Sequence, residues 1–430
     1  MARGFTGSDA LTALAHRLAD KLSVTRGTPS NVAFSPLSIY SALSLVAAGA
    51  RGGTLDELLA VLGASSRDEL AENGRFVAEH ALADRSPSGG PRVAFASGVW
   101  HDAGRPLEPA YREAVVASYL AELRAVDFRN KPDESRKEIN RWVAAATGNL
   151  IDSILPPESV SEDTAVVLAN AIYFKGKWKK PFEKKSTEVE RFHLLDGSAV
   201  DAPMMRTGRS QYIAVHHGFK VLVLPYSSKE PGASKKRRRG TSSSGSGDDP
   251  APAPLPRYSM CVFLPDARNG LWDLVRKIAS SPSFLHDHLP DETVEVDEFR
   301  LPKFKVSFCG KLSGALQDMG LVAAFDADMA DLTDMAPDVV GRSGVLKRLV
   351  LEDVFHRAVV EVNEEGTEAA AVTVCEMEDE EADWESEPEP VDFIADHPFA
   401  FFVIEEVSGA VVFAGHVLDP TKHQETLHDV

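Results

Sequence analysis

Between Glu364 and Pro390 the chain reads EEGTEAAAVTVCEMEDEEADWESEPEP, and the two halves of this stretch obey opposite physical demands. From Thr367 to Met377 the residues alternate with the period of a strand. Thr367, Ala369, Ala371, Thr373, Cys375 and Met377 make one face, which is small or apolar. The other face carries Glu368, Ala370, Val372, Val374, Glu376 and Glu378. A segment patterned like this can stand as a loop and can also lie half-buried in a sheet. Beyond Met377 the side chains of Glu378, Asp379, Glu380, Glu381, Asp383, Glu385, Glu387 and Glu389 repel one another and are costly to desolvate, so this half belongs in water. Taken alone, the stretch reads as a disordered acidic linker.

A chain of 430 residues, 43% of them hydrophobic, can bury a large core. Its formal charge of -19 argues against general nucleic-acid binding and for a protein repelled by acidic surfaces. Three widely spaced cysteines, Cys261, Cys309 and Cys375, form neither a disulfide framework nor a zinc pattern, which points to a reducing compartment. The N-terminal MARGFTGSDALTALAHRL has no continuous apolar segment of a secretory signal. No run reaches the roughly 18 residues that would indicate a membrane span. The expectation is an intracellular, cytoplasmic protein without a membrane partner.

The first part of the chain is helical. Leu11, Leu14, Leu18 and Leu22 recur at helical spacing behind Ser8 as cap, and Ser35-Pro36 opens a second, mostly buried helix that runs to Gly49. Thr54-Leu55-Asp56-Glu57 reads as a capping box for a third helix that ends at Gly63. Ile139, Trp142, Val143 and Ala146 mark one face of another, closed by Gly148. Strands are predicted over Val93 to Trp100, Ala165 to Phe174, Phe219 to Pro225, Tyr258 to Leu264, Leu301 to Phe308, Phe355 to Val362, Phe399 to Ile404 and Val411 to His416, with Ser408-Gly409 as a hairpin turn. Asn170, the one polar residue inside an apolar strand, must find hydrogen-bond partners. Ser227 to Pro256, rich in Ser, Gly, Lys and Pro, is predicted to be a mobile loop between two strands. Helices first and strands later indicate an α+β fold.

Several stretches together resemble a serpin, a member of the serine protease inhibitor superfamily, from Leu11 to Pro420. They are Asn31 to Ile39 (NVAFSPLSI), Asn170 to Trp178 (NAIYFKGKW), Lys180 to Phe192, Leu301 to Ser307 (LPKFKVS), Glu364 to Ala371 (EEGTEAAA), Asp396 to Phe401, and Phe413 to Pro420. The wording of NVAFSPLSIYSALSLVAAGA and VDFIADHPF is most similar to plant serpins. The resemblance implies a single metastable domain of about three β-sheets and about eight or nine helices, with an exposed reactive-centre loop over 364–390. It implies a monomer whose partner is a serine or cysteine protease, trapped as a covalent 1:1 complex. The protease attacks the loop, and the freed loop inserts as a strand in the main sheet.

In that reading Glu364, Glu365, Gly366, Thr367, Glu368, Ala369, Ala370 and Ala371 are the hinge, and Thr373, Cys375 and Met377 continue the inward face. No proline interrupts the run from Gly366 to Glu387, so nothing in it blocks insertion. Family spacing puts the scissile residue fourteen positions after Gly366, at Glu380, with Glu381 after the bond; a slip of one residue makes it Asp379. Plant serpins commonly present Leu-Arg or a small or basic residue there. Acidic residues instead call for a protease with a basic pocket, because a trypsin-like pocket meets like charge. The resemblance also makes Ser35, Ser38, Asn170 and His356 a polar cluster beneath the opening sheet. Trp178, Lys303 and Glu364 fall where the loop first enters, although Lys303 with Glu364 also reads as a surface ion pair of little worth.

Lys235, Lys236, Arg237, Arg238 and Arg239 form the basic run of an acidic chain and resemble a nuclear-localisation tract, although such a run in a Ser/Gly loop also reads as a solvated insertion. No HExxH, phosphate-binding glycine loop or nucleophile elbow occurs, so the expectation is no enzyme, no metal and no cofactor. Alternative readings are a non-inhibitory serpin using its acidic loop as a binding surface, or a nuclear serpin docking through Lys235 to Arg239.

Overall fold

A computed structural model describes residues 8–23, 30–82, 84, 86–88, 90–119, 121–228, 257–340, 346–367, 390–422 and 427–429. Among these are nine α-helices, three large sheets and a two-stranded ribbon. The helix Ser8–Ser23 buries Leu11, Leu14, Leu18 and Leu22, the stripe its periodicity marks, though Ser8 is its first residue rather than its cap. The helix Pro36–Gly49 is capped by Ser35, whose Oγ accepts the N–H of Ser38 at 3.2 Å. It is buried on nearly every side because it passes between two sheets.

The main sheet runs in the order Leu427–Asp429, Phe304–Lys311, Val354–Val362, Val166–Lys177, Arg92–Asp102 and Glu122–Val126. The second runs Val32–Phe34, Ala410–Val417, Phe399–Glu405, Tyr258–Pro265, Phe219–Pro225, Gln211–His216 and Thr293–Val294. The third is Phe393–Ile394, Phe299–Pro302, Ala199–Met205 and Glu188–His193. The 219–225 and 258–265 strands pair directly, so the low-complexity stretch predicted to be a mobile loop connects neighbours; its residues 229–256 lie outside the described ones. The hairpin of the second sheet turns at Gly409 with φ of 71°, left-handed backbone that glycine adopts without strain.

Three local expectations are corrected. The third helix spans Gly52–Leu62, beginning before Thr54, and the residues of the supposed capping box reach across the molecule instead. Thr54 Oγ1 accepts the N–H of Asp331 at 3.0 Å, and Glu57 Oε2 accepts those of Val322 and Ala323 at 2.8 and 2.7 Å. The run Leu301 to Phe308 is two strands in different sheets, parting at Lys303, whose N–H donates to Pro203 O at 2.9 Å. In the helix Pro132–Ala146, Ile139 and Val143 are buried and Trp142 sits edge-on to Trp100, but Ala146 is exposed.

Candidate functional site

The 354–362 and 166–177 strands run parallel, paired from Val354↔Leu168 to Val359↔Tyr173. Above Tyr173 and Val359 their registered pairing ends while both strands continue, to Lys177 and Val362. The chain turns back at Asn363, and Gly366–Thr367 pairs antiparallel with the upper part of the 166–177 strand, Gly366 opposite Lys177 and Thr367 opposite Gly176. Asn363 closes the turn: its N–H donates to Gly366 O at 2.9 Å, and its Oδ1 accepts the N–H of Glu365 at 3.0 Å. Gly366 has φ of 147°, and a Cβ there would lie 2.0 Å from Gly176 O. Only glycine fits so close a backbone approach.

The elements around this turn hold it through backbone and side chain together. Trp178 N–H donates to Glu365 O at 2.9 Å, Phe182 N–H to Glu364 O at 2.8 Å, and Trp178 Nε1–H to Asn363 O at 2.9 Å. Trp178 stacks on Tyr226, ring centroids 4.5 Å apart, and the Tyr226 hydroxyl bonds Thr367 Oγ1 at 2.7 Å. The Lys303–Glu364 pair is buried on the carboxylate side alone: Glu364 is 5% exposed and accepts from Lys303 Nζ at 3.0 Å and Thr187 Oγ1 at 2.8 Å, while the Lys303 side chain is 36% exposed. Burial pushes its carboxyl up, but its own backbone N–H, Lys303 and Thr187 together hold it below the usual carboxylate range. Glu365 pairs with Lys184 at 2.5 Å, and a cleft of about 920 Å³ opens beside these pairs. Tyr226, Asn363, Thr187 and Lys184 were not singled out in the sequence; a tyrosine just past an apolar run carries no local signal of what it will support.

Ser35, Ser38, Asn170 and His356 come together lower in the same sheet, all at most 1% exposed. His356 stands directly opposite Asn170 in the parallel register. Asn170 Nδ2 donates to Ser38 O at 2.8 Å while its Oδ1 accepts from Ser38 Oγ. Ser35 N–H donates to His356 Nε2 at 3.1 Å, so the imidazole is the neutral tautomer with its proton on Nδ1. Burial pushes its pKa down to about 3. The cluster fastens the capped end of the 36–49 helix to the 166–177 and 354–362 strands.

Glu368, Ala369, Ala370, Ala371, Thr373, Cys375, Met377, Asp379, Glu380 and Glu381 lie outside the described residues, as do Lys235 to Arg239. Thr367, the first member of the small alternating face, is described and fully buried. Among the described residues no group of three or more His, Cys, Asp or Glu could hold a metal, and no helix is long and apolar enough to cross a membrane.

Three sheets, nine described helices and a two-residue strand docked at the head of a partly parted main sheet define the class. Residues 9–237 and 252–420 match the family model described as serpin, serine protease inhibitor, and the break between them falls within the low-complexity stretch. The chain belongs to the serpin family. It is 53% identical to rice Serpin-Z2A over 422 residues, 96% of this chain and 98% of that one. With wheat Serpin-Z2B it shares 41% over 410 residues, 95% of each. Among solved structures it resembles Arabidopsis AtSerpin1 in its native stressed conformation, with a TM-score of 0.81, 36% identity, and 98% and 100% of the two chains covered.

Proposed function

We propose that the chain is a suicide-substrate inhibitor of a serine or cysteine protease with acidic primary specificity. The observation that carries this reading is the pairing of Gly366–Thr367 against Lys177 and Gly176, at the top of two strands whose mutual pairing stops at Tyr173 and Val359. Because the chain reverses at Asn363, Gly366–Thr367 runs antiparallel to the 166–177 strand, and a strand continuing from it would run antiparallel to both parallel neighbours. The protease's nucleophile attacks the scissile carbonyl; an acyl-enzyme forms as the peptide bond to the next residue breaks and its nitrogen takes up a proton. The freed loop then continues the strand begun at Gly366, with its small face turned inward, and carries the acylated protease with it. The sheet gains hydrogen bonds and buried area, and that gain drives the change.

The proposed bond joins Glu380 to Glu381, with Asp379 as the alternative scissile residue. A carboxylate side chain needs a basic pocket, and a pocket with its own buried carboxylate repels it. The inhibitor acts as a monomer in a covalent 1:1 complex. The proposed setting is reducing and cytoplasmic, in keeping with three widely spaced cysteines that form no disulfide framework.

The test is a panel of Glu-selective serine proteases, Asp-selective cysteine proteases and trypsin. Each is screened for an SDS-resistant complex, and mass spectrometry places the cut in the released C-terminal peptide. A complex with a Glu-selective protease and a peptide beginning at Glu381 is expected. A peptide beginning at Glu380 assigns Asp379 instead. Cleavage without any covalent complex across the panel overturns the inhibitory reading in favour of a non-inhibitory serpin that uses the acidic loop as a binding surface.

A further inference from the structure

The 354–362 and 166–177 strands are paired from Val359↔Tyr173 down to Val354↔Leu168, and each is also fastened outward to a neighbour of its own. The 166–177 strand pairs with the 92–102 strand from Lys175 to Val166, and the N–H of Asp102 extends that contact to Ala165 O at 2.9 Å. The 354–362 strand pairs with the 304–311 strand from Phe355 to Val362. Asp353, just before it, accepts from Ser313 Oγ and from Lys311 Nζ, both at 2.6 Å. The main sheet therefore consists of two blocks that meet along the line between its two central strands.

Below Leu168 and Val354 that line is crossed by side chains. Thr164, 2% exposed, donates its hydroxyl to Glu352 Oε2 at 2.9 Å and accepts the N–H of Ser161 at 2.9 Å. Arg105, 6% exposed, follows the 92–102 strand and reaches the segment that leads into the 354–362 strand. Its Nη1 donates to Arg348 O at 3.2 Å, and its Nη2 donates to Pro337 O at 3.1 Å and to Lys347 O at 3.2 Å. Hydrogen bonds from a buried charged donor are among the stronger ones, whereas the Lys347–Asp163 pair beside them, with both side chains more than half exposed, contributes little.

The register described at the head of the sheet says how deep a further strand would reach. Thr367 lies opposite Gly176, and an antiparallel strand continued one residue at a time from there would set Met377, the end of the small alternating face, opposite Val166, the first residue of the 166–177 strand. The small face is thus as long as the strand it would lie beside. Neighbouring strands stand about 4.8 Å apart, so a strand reaching Val166 would part the blocks at the foot by more than a hydrogen bond can stretch.

We propose that Thr164 with Glu352, backed by Arg105, forms a clasp at the foot of the main sheet, closed in the uncleaved chain and opened when the sheet takes a further strand to its full depth. The proposal rests on the insertion reading above and names the contacts that oppose its final step.

The test is hydrogen exchange at residues 164–168 and 352–355, read in the intact chain and in the chain nicked at Glu380, for the wild type, Glu352→Ala and Glu352→Gln. Glu352 is exposed, so neither change disturbs the core. In the intact chain Glu352→Ala is expected to exchange about three- to tenfold faster than the wild type, and in the nicked chain at the wild-type rate. Glu352→Gln keeps an oxygen that accepts from Thr164 and is expected to match the wild type in both forms. Arg105→Gln is expected to speed exchange in the intact chain alone; should it fail to fold, the two Glu352 variants decide. Equal acceleration of Glu352→Ala in intact and nicked chains, with the nicked wild type melting above the intact one, overturns the clasp while leaving insertion standing. No acceleration in the intact chain also overturns it. A nicked wild type that melts no higher than the intact chain overturns the insertion reading itself.

Discussion

At Gly366 a side chain has nowhere to go: besides the carbonyl of Gly176, a Cβ would meet Lys177 Cα at 2.7 Å. Gly366→Val should therefore undock Gly366–Thr367 from the sheet and slow insertion, so that more inhibitor is cleaved without trapping its protease. The ratio of covalent complex to cleaved inhibitor on a gel is expected to fall about tenfold or more, since strain of this kind costs roughly 1–3 kcal/mol; an unchanged ratio contradicts the hinge assignment. Asn170→Ala leaves the buried Ser38 carbonyl and hydroxyl without their partner, and a loss of about 1–3 kcal/mol in urea unfolding is expected. Asn170 was legible in the sequence for a physical reason, as a lone polar residue in an apolar strand, whereas Gly366 was singled out through the family resemblance. Tyr226 was not legible, because its value comes from Trp178 and Thr367, which approach it only in the folded chain.

Two buried imidazoles, one in a strand of the main sheet and one in the second, are expected to make the fold sensitive to acid. Burial pushes His356 down to about 3, and His416, in the second sheet, down to about 4, from an ordinary 6.5. Both are lowered in the folded state, so the stability they contribute is fully present above pH 6.5 and is lost as pH falls toward 4 and 3. At pH 5, some 1.5 units below the unfolded value, each costs about 2 kcal/mol. The urea midpoint should drop between pH 7.5 and pH 5, and His356→Gln should make that dependence shallower by up to one proton; a flat profile contradicts the burial of a neutral imidazole. Elements were legible where one periodicity persisted, as in the 8–23 helix and the 166–177 strand. They were not where two signals competed. Thr54 to Glu57 has the spacing of a capping box, yet Asp331, Val322 and Ala323 claim its side chains, and Leu301 to Phe308 looks continuous although it crosses between sheets at Lys303.

At the scale of the molecule, the proposed mechanism needs a main sheet that can take one further strand between the 354–362 and 166–177 strands, entering above the point where their pairing ends. The 368–389 residues that would supply it join a docked hinge at Thr367 to the third sheet through Val391 and Phe393, whose N–H groups donate to Glu295 O and Glu298 O at 2.9 and 2.8 Å. While the loop is uncut these two anchorages hold both its ends. Cleavage frees one end, and in the proposed mechanism the relaxed, six-plus-one arrangement is then the more stable state. The composition of the loop was readable from the chain alone, because alternation and acidity are local properties. The parting of the strands above Tyr173 and Val359 was not, since it depends on the register of two segments almost two hundred positions apart. The most direct measurement is thermal unfolding before and after the loop is nicked at Glu380. In the proposed mechanism the nicked chain melts above the intact one, by about 1 °C for each kcal/mol that insertion contributes in a chain of this length. Coincident melting curves would contradict it.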